Sequence, residues 1–466
     1  MRSATPVVRV VIGSQPPGCC QSGSVSRKHP RRNMSSLPSH HVPANLLARW
    51  RATPWQTVLC LFVMPMAFSG GLALLLLVVS DPPVVLQDFR DAYYLAGVAV
   101  QAGPHGLSPM IARGTDGFVN LPIIAYLFWP LGLLPVFWAS VLFSIIGVFC
   151  VLAAWWLLVR LAELEAQSAV LLLLVFAING PMIYGFKEGN VSHILLLMFA
   201  IALTWLRRGA EFSAGLLLGF AAVIKPPLLL VGIYFLFRRR WSVVAGGALS
   251  CAAAGLLSLA VFGWAMHVSW YELCIKPYSD NPIAAFNSQS VQAFFLRMQV
   301  GLDGWFDWSP IPFEPAYWFY STIVVGGIAA FVVLTLLMPA GRDSGQAHPL
   351  ALIQVEFMMI VALACVISPI SWSHYYTWFL MPFAFFVGRD DPAWSTPILR
   401  GAGWLGIVLL STPVIADIWR SNWASSTYGQ IGVSSLLFGG IIWLLLLCRV
   451  RYRMASDAHA VADNSF

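Results

Sequence analysis

Long apolar runs alternate with short polar or basic segments along most of this chain. A helix needs roughly 20 apolar residues to cross a bilayer. Two of the runs are interrupted, one at 120–135 by three prolines and one at 213–237 by Lys225 and two prolines. The pattern predicts an all-α polytopic membrane protein with roughly 11–13 transmembrane or half-spanning helices. The uninterrupted spans are predicted at about 55–80, 136–159, 169–184, 191–206, 243–262, 316–339, 350–367, 375–388, 399–418 and 431–448.

Basic residues assign the two sides of the membrane, because cytoplasmic loops carry an excess of arginine and lysine. If the arginines at 207–208 and 238–240 are both cytoplasmic, residues 213–237 must dip into the membrane and return as two half-helices. Residues 120–135 would then not cross fully. A rival count makes every segment a crossing and places 207–208 outside. Both counts place Asp88, the 263–315 loop and the 368–376 turn on the same outer side.

Composition excludes a soluble protein. The 466 residues are 59% hydrophobic and 10% charged, with a mean hydropathy of +0.75. Soluble domains carry about a quarter charged residues. The eight cysteines show no paired spacing and no His/Cys cluster, so neither disulfides nor a metal site is expected.

Charge and apolar pattern divide the chain into three parts. Residues 1–48 have no apolar period and are predicted to be a disordered, basic cytoplasmic tail. Residues 49–450 form the predicted transmembrane catalytic domain, with outer loops at 81–119 and 263–315. Residues 451–466 are predicted as a second cytoplasmic tail. Since acidic residues are absent before Asp81, the first tail follows the positive-inside rule, and no nucleic-acid partner is expected.

The first candidate for chemistry is the segment Q-D-F-R-D-A-Y-Y at 87–94, just after the first span. On a helix, Asp88 and Asp91 would share a face. The aromatic residues of the segment favour the headgroup zone of the bilayer. A carboxylate held there can act as a base on a group that the membrane presents. The alternative is an interfacial helix whose charges face water.

Three basic side chains are candidates for an anion site. Lys225 interrupts an apolar run, where an ammonium is costly without a partner, and half-helix ends also form anion sites. His374 lies in the outer turn I-S-P-I-S-W-S-H-Y-Y at 367–376, and Arg297 lies in the outer loop. The alternatives are a lysine that snorkels to the surface and an ordinary interfacial histidine.

One arrangement uses all of these groups. A lipid phosphate would rest among Lys225, His374 and Arg297, while Asp88 receives a proton from an acceptor hydroxyl. Cations at a developing negative charge bind the transition state more tightly than the ground state. The Lys187-Glu188 pair is more typical of a self-neutralising pair than of a catalytic one, and Asn190 is a candidate cap for the next helix. We assign substrate binding to Asp91, Tyr94, Asn190, Gln289, Trp372 and Tyr375.

Six motifs in order resemble glycosyltransferase family 87. They are D-F-R-D-A-Y-Y-L-A at 88–96, N-L-P-x-x-A-x-L-F-x-P-L-x-L-L-P at 120–135, G-N-V-x-x-x-L-L-L at 189–197, R-R-G with A-G-x-x-L-G-x-A-A-x-x-K-P at 207–226, N-S-Q-S at 287–290 and S-P-I-S-W-S-H-Y at 368–375.

The resemblance implies a GT-C fold in the inner cell membrane, with the active site facing the periplasm or exterior. It implies inverting transfer of a sugar, expected to be mannose, from a polyprenyl-phosphate donor to a lipid or glycan acceptor. The family's base falls on Asp88 and its donor-phosphate contacts on Lys225 and His374. This chain departs from the family in having Asn190 where glutamine is frequent, and Ser373 where aspartate is frequent. These departures leave the sugar and the acceptor open.

The expected partners are the lipid-linked sugar, which is a co-substrate, the acceptor and membrane lipids. No cofactor and no metal are expected. The rival class is a secondary transporter or a flippase of lipid-linked glycans, since transporters also break helices at lone charges. Transporters usually have two similar halves, and the Lys-Pro-Pro break has no counterpart in the second half of this sequence. A polymerase or ligase of lipid-linked glycans is a third alternative.

Overall fold

A computed structural model describes residues 85–338, 350–388, 396–411 and 427–463. The described residues all belong to one unit, Thr53–Phe466. The predicted disordered tail at 1–48 and the predicted span at 55–80 lie outside the described residues.

The described residues are helical almost throughout, and their single β-type pairing is an isolated bridge between Ser288 and Trp372. The all-α prediction is therefore confirmed. The α-helices of eight or more residues are α1 Val136–Leu161, α2 Ala166–Ile178, α3 Gly180–Glu188, α4 Ser192–Arg207, α5 Glu211–Ile224, α6 Leu229–Phe237, α7 Trp241–Trp270, α8 Val291–Val300, α9 Pro315–Leu337, α10 Leu350–Ile367, α11 Leu380–Val387, α12 Pro397–Ser411 and α13 Ser435–Asp463.

Several of these helices are suited to a bilayer. Within the described residues, four segments are long and apolar enough to cross, and they are Val136–Leu161, Trp241–Asp280, Pro315–Leu337 and Ser435–Met454. Helices α2 and α3, bent by 49° at their junction, make a fifth if they count as one span. Five shorter apolar helices accompany them. The protein is therefore a polytopic membrane protein, as the hydropathy pattern predicts.

The proline-interrupted segment at 120–135 does not cross. It forms a 3₁₀-helix, Pro122–Leu127, and a single turn, Trp129–Gly132. Proline lacks the N–H that continues a helix, so neither piece extends. This agrees with the prediction for the segment.

The second interrupted segment, at 213–237, folds back on itself as two half-helices. Lys225 ends α5 in an extended conformation (φ −132°, ψ 93°), which is the conformation favoured before a proline. The Nη1 atom of Arg240, just before α7, lies 2.6 Å from Oε1 of Glu211 at the start of α5. The two ends of the 211–237 segment are thus at the same level. This pairing favours the re-entrant arrangement over the rival count.

An arginine layer closes the end of the helices opposite Lys225. Its centre is the fully buried Glu356 on α10, which accepts hydrogen bonds from Arg238 Nε over 2.8 Å and from Arg451 Nε over 3.0 Å. Arg238 and Arg451 also donate to the carbonyl of Leu336. The layer joins α9, α10 and α13 to Arg238, the residue that follows α6.

Two helices run across predicted boundaries. Helix α13 continues past residue 450 to Asp463, and Arg451 on it is completely buried. The buried Glu356 provides the partner that holds this arginine inside. Helix α7 bends at Gly263 and continues through a π-helix, Tyr271–Ile275, so the first part of the predicted 263–315 loop is helical.

Candidate functional site

Asp88 lies on a π-helix, Asp88–Tyr94, which two aromatic side chains fix in place. The ring of the fully buried Phe89 stacks on Phe143 with centroids 4.3 Å apart, and Tyr93 stacks on Phe128 at 4.7 Å. Single π turns are rare and often occur at functional sites. These contacts therefore hold the π-helix, and Asp88 with it, in a fixed position.

The two carboxylates of this segment do not share a face. Asp88 is half-buried whereas Asp91 is exposed. A π turn is wider than an α turn, so residues three apart lie further around the axis than we expected. The Tyr94 hydroxyl donates to the carbonyl of Leu134 over 2.9 Å, which makes that predicted substrate contact an anchor of the helix.

A glycine at the end of α3 lets the Asp88 segment approach. Gly189 has φ +70°, and Asn190 N–H donates to the Gly185 carbonyl over 2.8 Å, which closes the helix in a Schellman motif. A Cβ at position 189 would lie 2.6 Å from Cβ of Phe89. Glycine thus satisfies both the left-handed conformation and the close packing on the π-helix.

Asn190 connects α4 to Asp88. Its Oδ1 accepts hydrogen bonds from Ser192 N over 3.2 Å and from Ser192 Oγ over 3.0 Å, at the first residue of α4, although the N-cap position itself is Val191 rather than Asn190 as predicted. A backbone N–H is only a donor, so this contact fixes which end of the amide is oxygen. The Nδ2 group therefore points the other way and donates to Asp88 Oδ2 over 2.8 Å.

The surroundings of Asp88 give it the acidity of a base that works near neutral pH. Burial raises its pKa from 3.8 to about 6, against the lowering effect of the Asn190 hydrogen bond. Glu188 raises the pKa further, Lys225 lowers it, and Asp91 raises it slightly. At pH 7 the group is mostly ionised yet basic enough to accept a proton.

Lys225 lies close enough to Asp88 for the two charges to interact, as the sequence prediction requires. Its side chain is buried, with Nζ 5.0 Å from the ring centroid of Tyr375. This cation–π contact helps to hold an ammonium away from water. Tyr375 in turn stacks on Trp378, whose indole donates to the Ser192 carbonyl over 3.0 Å.

His374 lies beside these groups on the 3₁₀-helix Ser373–Phe379, in the outer turn. It is buried, and neither ring nitrogen has a hydrogen-bond partner among the described residues. Burial, and then the charge of Lys225, hold the pKa of His374 well below its usual value. The imidazole is therefore neutral and offers a hydrogen bond rather than the positive charge we expected.

The remaining predicted residues support the loops. The Arg297 guanidinium is fully buried and donates to the carbonyls of Ala284, Ala285 and Ser288 and to Ser434 Oγ. Both terminal nitrogens of this side chain therefore bind protein oxygens, and its contact with a donor phosphate stays a prediction. Gln289 is likewise buried, and its Nε2 donates to the carbonyls of Phe286 and Val433.

Backbone pairing joins the two outer segments. Gln289 N–H donates to the Ser371 carbonyl over 2.6 Å, and Ser373 N–H donates to the Asn287 carbonyl over 2.7 Å. The half-buried Trp372 lies opposite Ser288 in this bridge. The two outer segments therefore contact each other, as two segments on one side of the membrane can; their placement on the outer side stays a prediction.

Some of the other polar groups near the site were predicted from the sequence, and others were not. Lys187 pairs with Glu188 over 3.1 Å, which agrees with the self-neutralising interpretation. His193, which we did not single out, is fully buried and stacks on Phe186 at 4.5 Å. Sequence analysis also missed Tyr184 and Trp308 and placed Asn287 only in a motif, because their contacts cross between distant segments. Within the described ranges, no group of three or more potential metal ligands occurs.

The fold and the site together define a polytopic membrane protein in which a half-buried carboxylate, Asp88, lies near a buried lysine, Lys225. The chain belongs to glycosyltransferase family 87, whose family model matches residues 118–369. The match covers Lys225 and Asn190, whereas Asp88 lies before it and His374 lies after it. An enzyme class is thereby established, and the transporter alternative is not favoured.

Relatives of the chain are mannosyltransferases by name. It is 28% identical over 372 residues to the polyprenol-phosphate-mannose-dependent α-(1-2)-phosphatidylinositol pentamannoside mannosyltransferase of Mycolicibacterium smegmatis, covering 77% of this chain and 83% of that protein. It is 24% identical over 350 residues to the polyprenol-phosphate-mannose-dependent α-(1-2)-phosphatidylinositol mannoside mannosyltransferase of Mycobacterium tuberculosis, covering 70% of this chain and 76% of that protein. No solved structure matches the chain.

Proposed function

We propose that this glycosyltransferase moves mannose from a polyprenyl-phosphate carrier to a hydroxyl group of a lipid-linked or glycan acceptor. The observation that carries the proposal is the half-buried Asp88, oriented by Asn190 and facing the buried Lys225. The names of the relatives support the donor, and they point to a phosphatidylinositol mannoside as the acceptor.

The proposed reaction is a single displacement. Asp88 takes the proton of the acceptor hydroxyl while the acceptor oxygen attacks C1 of mannose. The bond between C1 and the phosphate oxygen breaks, and its electron pair stays on the polyprenyl phosphate. Because the acceptor oxygen displaces the phosphate directly in this proposal, the configuration at C1 is inverted.

Lys225 stabilises the leaving group. The phosphate gains negative charge as the glycosidic bond breaks, and a buried ammonium attracts that charge more strongly than one in water. The neutral His374 and Tyr375, which contacts Lys225, complete the donor-phosphate site. The positive charge of this site therefore comes from Lys225 rather than from several cations.

The substrates and the location follow from the same arrangement. The polyprenyl chain would lie in the bilayer along the apolar helix surfaces, with its phosphate at the break between α5 and α6. The arginine layer would face the cytoplasm, so the site would open to the periplasm or exterior of the inner cell membrane. The lipid-linked sugar is a co-substrate, and we propose that the reaction needs neither a cofactor nor a metal.

The proposal is tested with purified protein in lipid vesicles, supplied with polyprenyl-phosphate-mannose and a phosphatidylinositol mannoside. Wild-type protein should transfer mannose, with or without EDTA. The Asp88→Asn variant should lose about 10²–10⁴-fold in rate, the usual contribution of a general base, and still bind the donor. The Asp91→Asn variant is the matched control and should keep most of its activity.

Each outcome has a defined meaning. Wild-type protein that transfers no sugar from any polyprenyl-phosphate donor would overturn the proposed function. A fully active Asp88→Asn variant would leave the donor assignment standing but remove Asp88 as the base. Activity lost in EDTA and restored by a divalent cation would contradict the metal-independent reaction.

A further inference from the structure

Trp308 is an exposed tryptophan near the site, and contacts within the protein fix the orientation of its indole ring. Trp308 is 42% exposed, yet its Nε1 donates to Asn287 Oδ1 over 3.0 Å. Its ring also meets the buried Phe286 edge to face, with centroids 6.0 Å apart and an interplanar angle of 79°. The ring therefore has one orientation while much of its surface remains open.

The hydrogen bond from Trp308 also fixes the orientation of the Asn287 side chain. Because an indole N–H is only a donor, it fixes the amide oxygen of Asn287 towards Trp308. The amide nitrogen then donates to the Tyr184 hydroxyl over 3.1 Å. Tyr184 also packs edge to face on Phe286. Two hydrogen bonds thus connect the exposed indole to a tyrosine on α3.

Tyr184 in turn lies within electrostatic range of Asp88, the proposed base. Asp88 and Glu188 are both close enough to the Tyr184 hydroxyl to interact with it electrostatically. The Asn287 backbone is also bonded to Ser373, the residue before His374. Trp308 is therefore connected rigidly to both sides of the site.

The direction of the indole N–H argues against a membrane anchor. Interfacial tryptophans keep an apolar ring in the lipid and a polar end at the wet headgroup level. In Trp308 the N–H is turned towards a buried amide, and the surface left open is apolar. Beside it, the carboxylate of Asp307 accepts a hydrogen bond from Ser309 N–H over 2.8 Å, so polar groups border the exposed ring.

We propose that Trp308 is the platform on which a sugar ring of the acceptor stacks. The face of an aromatic ring is electronegative, and the C–H bonds on one face of a pyranose are weakly electropositive, so the two surfaces attract as water leaves both. The bordering polar groups would meet the sugar's hydroxyls. Seated there, the acceptor presents a hydroxyl towards Asp88. The inference rests on the proposed function and names the acceptor subsite within it.

The deciding experiment measures binding without any donor. An octyl dimannoside is titrated calorimetrically into the full-length protein in detergent. Wild type should bind it, Trp308→Ala should bind at least tenfold more weakly, and Trp308→Phe should fall between them because it keeps an aromatic face. Trp318→Ala is the control, since Trp318 is 58% exposed in the first turn of α9.

Transfer assays on the same variants separate the two proposals. Trp308→Ala should raise the KM for the acceptor about tenfold or more and leave the KM for the donor unchanged. Equal binding by wild type and Trp308→Ala, no binding by wild type, or the same loss in Trp318→Ala would overturn the platform. Binding that depends on Trp308 without any mannose transfer would uphold the platform as a sugar site and reject the proposed function.

Discussion

The Asn190 side chain donates a hydrogen bond to Asp88 over 2.8 Å, although 102 residues separate the two in the sequence. The same amide accepts hydrogen bonds from Ser192, the first residue of α4, through its oxygen. The orientation of the Asp88 carboxylate is therefore tied to the start of a membrane helix. We propose on this ground that Asn190 positions Asp88; its contact with substrate stays a prediction.

Replacing Asn190 with alanine should shift the pH dependence of transfer. The hydrogen bond to Asp88 lowers the pKa of that carboxyl, so its loss should raise the pKa above about 6 and move the acid limb of kcat/KM to higher pH. Loss of the hydrogen bonds from Ser192 to the amide oxygen should also cost about 1 kcal/mol in stability. Asn190→Gln, which keeps a donor, is the comparison. An acid limb that stays in place in Asn190→Ala would contradict the positioning role.

The wild-type enzyme should show an acid limb governed by Asp88. The carboxyl pKa is raised by burial to about 6, and only the ionised form accepts a proton. We expect kcat/KM to be level above about pH 7 and to fall about tenfold for each pH unit below about 5.5. Initial rates in vesicles across pH 4.5–8.5 should therefore fall about 30-fold from the plateau to pH 4.5. A limb near pH 4 would indicate an unburied carboxylate as the base.

Replacing Lys225 with methionine should weaken both donor binding and catalysis. Methionine has a similar length but no charge, so the developing phosphate charge loses its partner. We expect at least about 100-fold lower kcat/KM, on the order of the loss when one oxyanion donor is removed. The acid limb should also move to higher pH, because Lys225 lowers the pKa of Asp88.

The control for Lys225 is Lys276→Met. That lysine is exposed and pairs with Glu272 over 2.7 Å at helical spacing. Exposed pairs of this kind contribute little to stability. If both variants kept wild-type donor affinity and rate, Lys225 would have no role at the phosphate.

Replacing Gly189 with alanine should damage the site more than the fold. Alanine in the left-handed conformation costs about 1–2 kcal/mol, and the new Cβ would also press on Phe89. Gly209→Ala is the matched control, because Gly209 has φ +77° with nothing within 4 Å of a Cβ. Thermal unfolding should show a larger loss for Gly189→Ala than for Gly209→Ala. Transfer activity should fall in Gly189→Ala alone, and equal effects in both would show that the close approach to Phe89 is unimportant.

The sequence determined the class of the protein and the elements of its fold. Apolar runs predict helices because a bilayer offers no hydrogen-bonding partner to an open backbone. Prolines at 226 and 227 predict the break at Lys225 for a local steric reason. Asp88 and Lys225 are recognisable because a charged group in or beside an apolar run has a high cost without a function.

Only the tertiary structure decided which polar groups meet. Asn190 contacts Asp88, and Asn287 contacts Tyr184 and Trp308. These contacts join residues about 20 to 100 positions apart, and the local spacing of residues does not predict them. The tertiary structure also gave the three predicted cations different surroundings. Arg297 donates hydrogen bonds to loop carbonyls. Burial keeps His374 neutral. Lys225 lies close enough to Asp88 to lower its pKa. Burial and partnership depend on packing across the whole chain, which composition and periodicity do not encode.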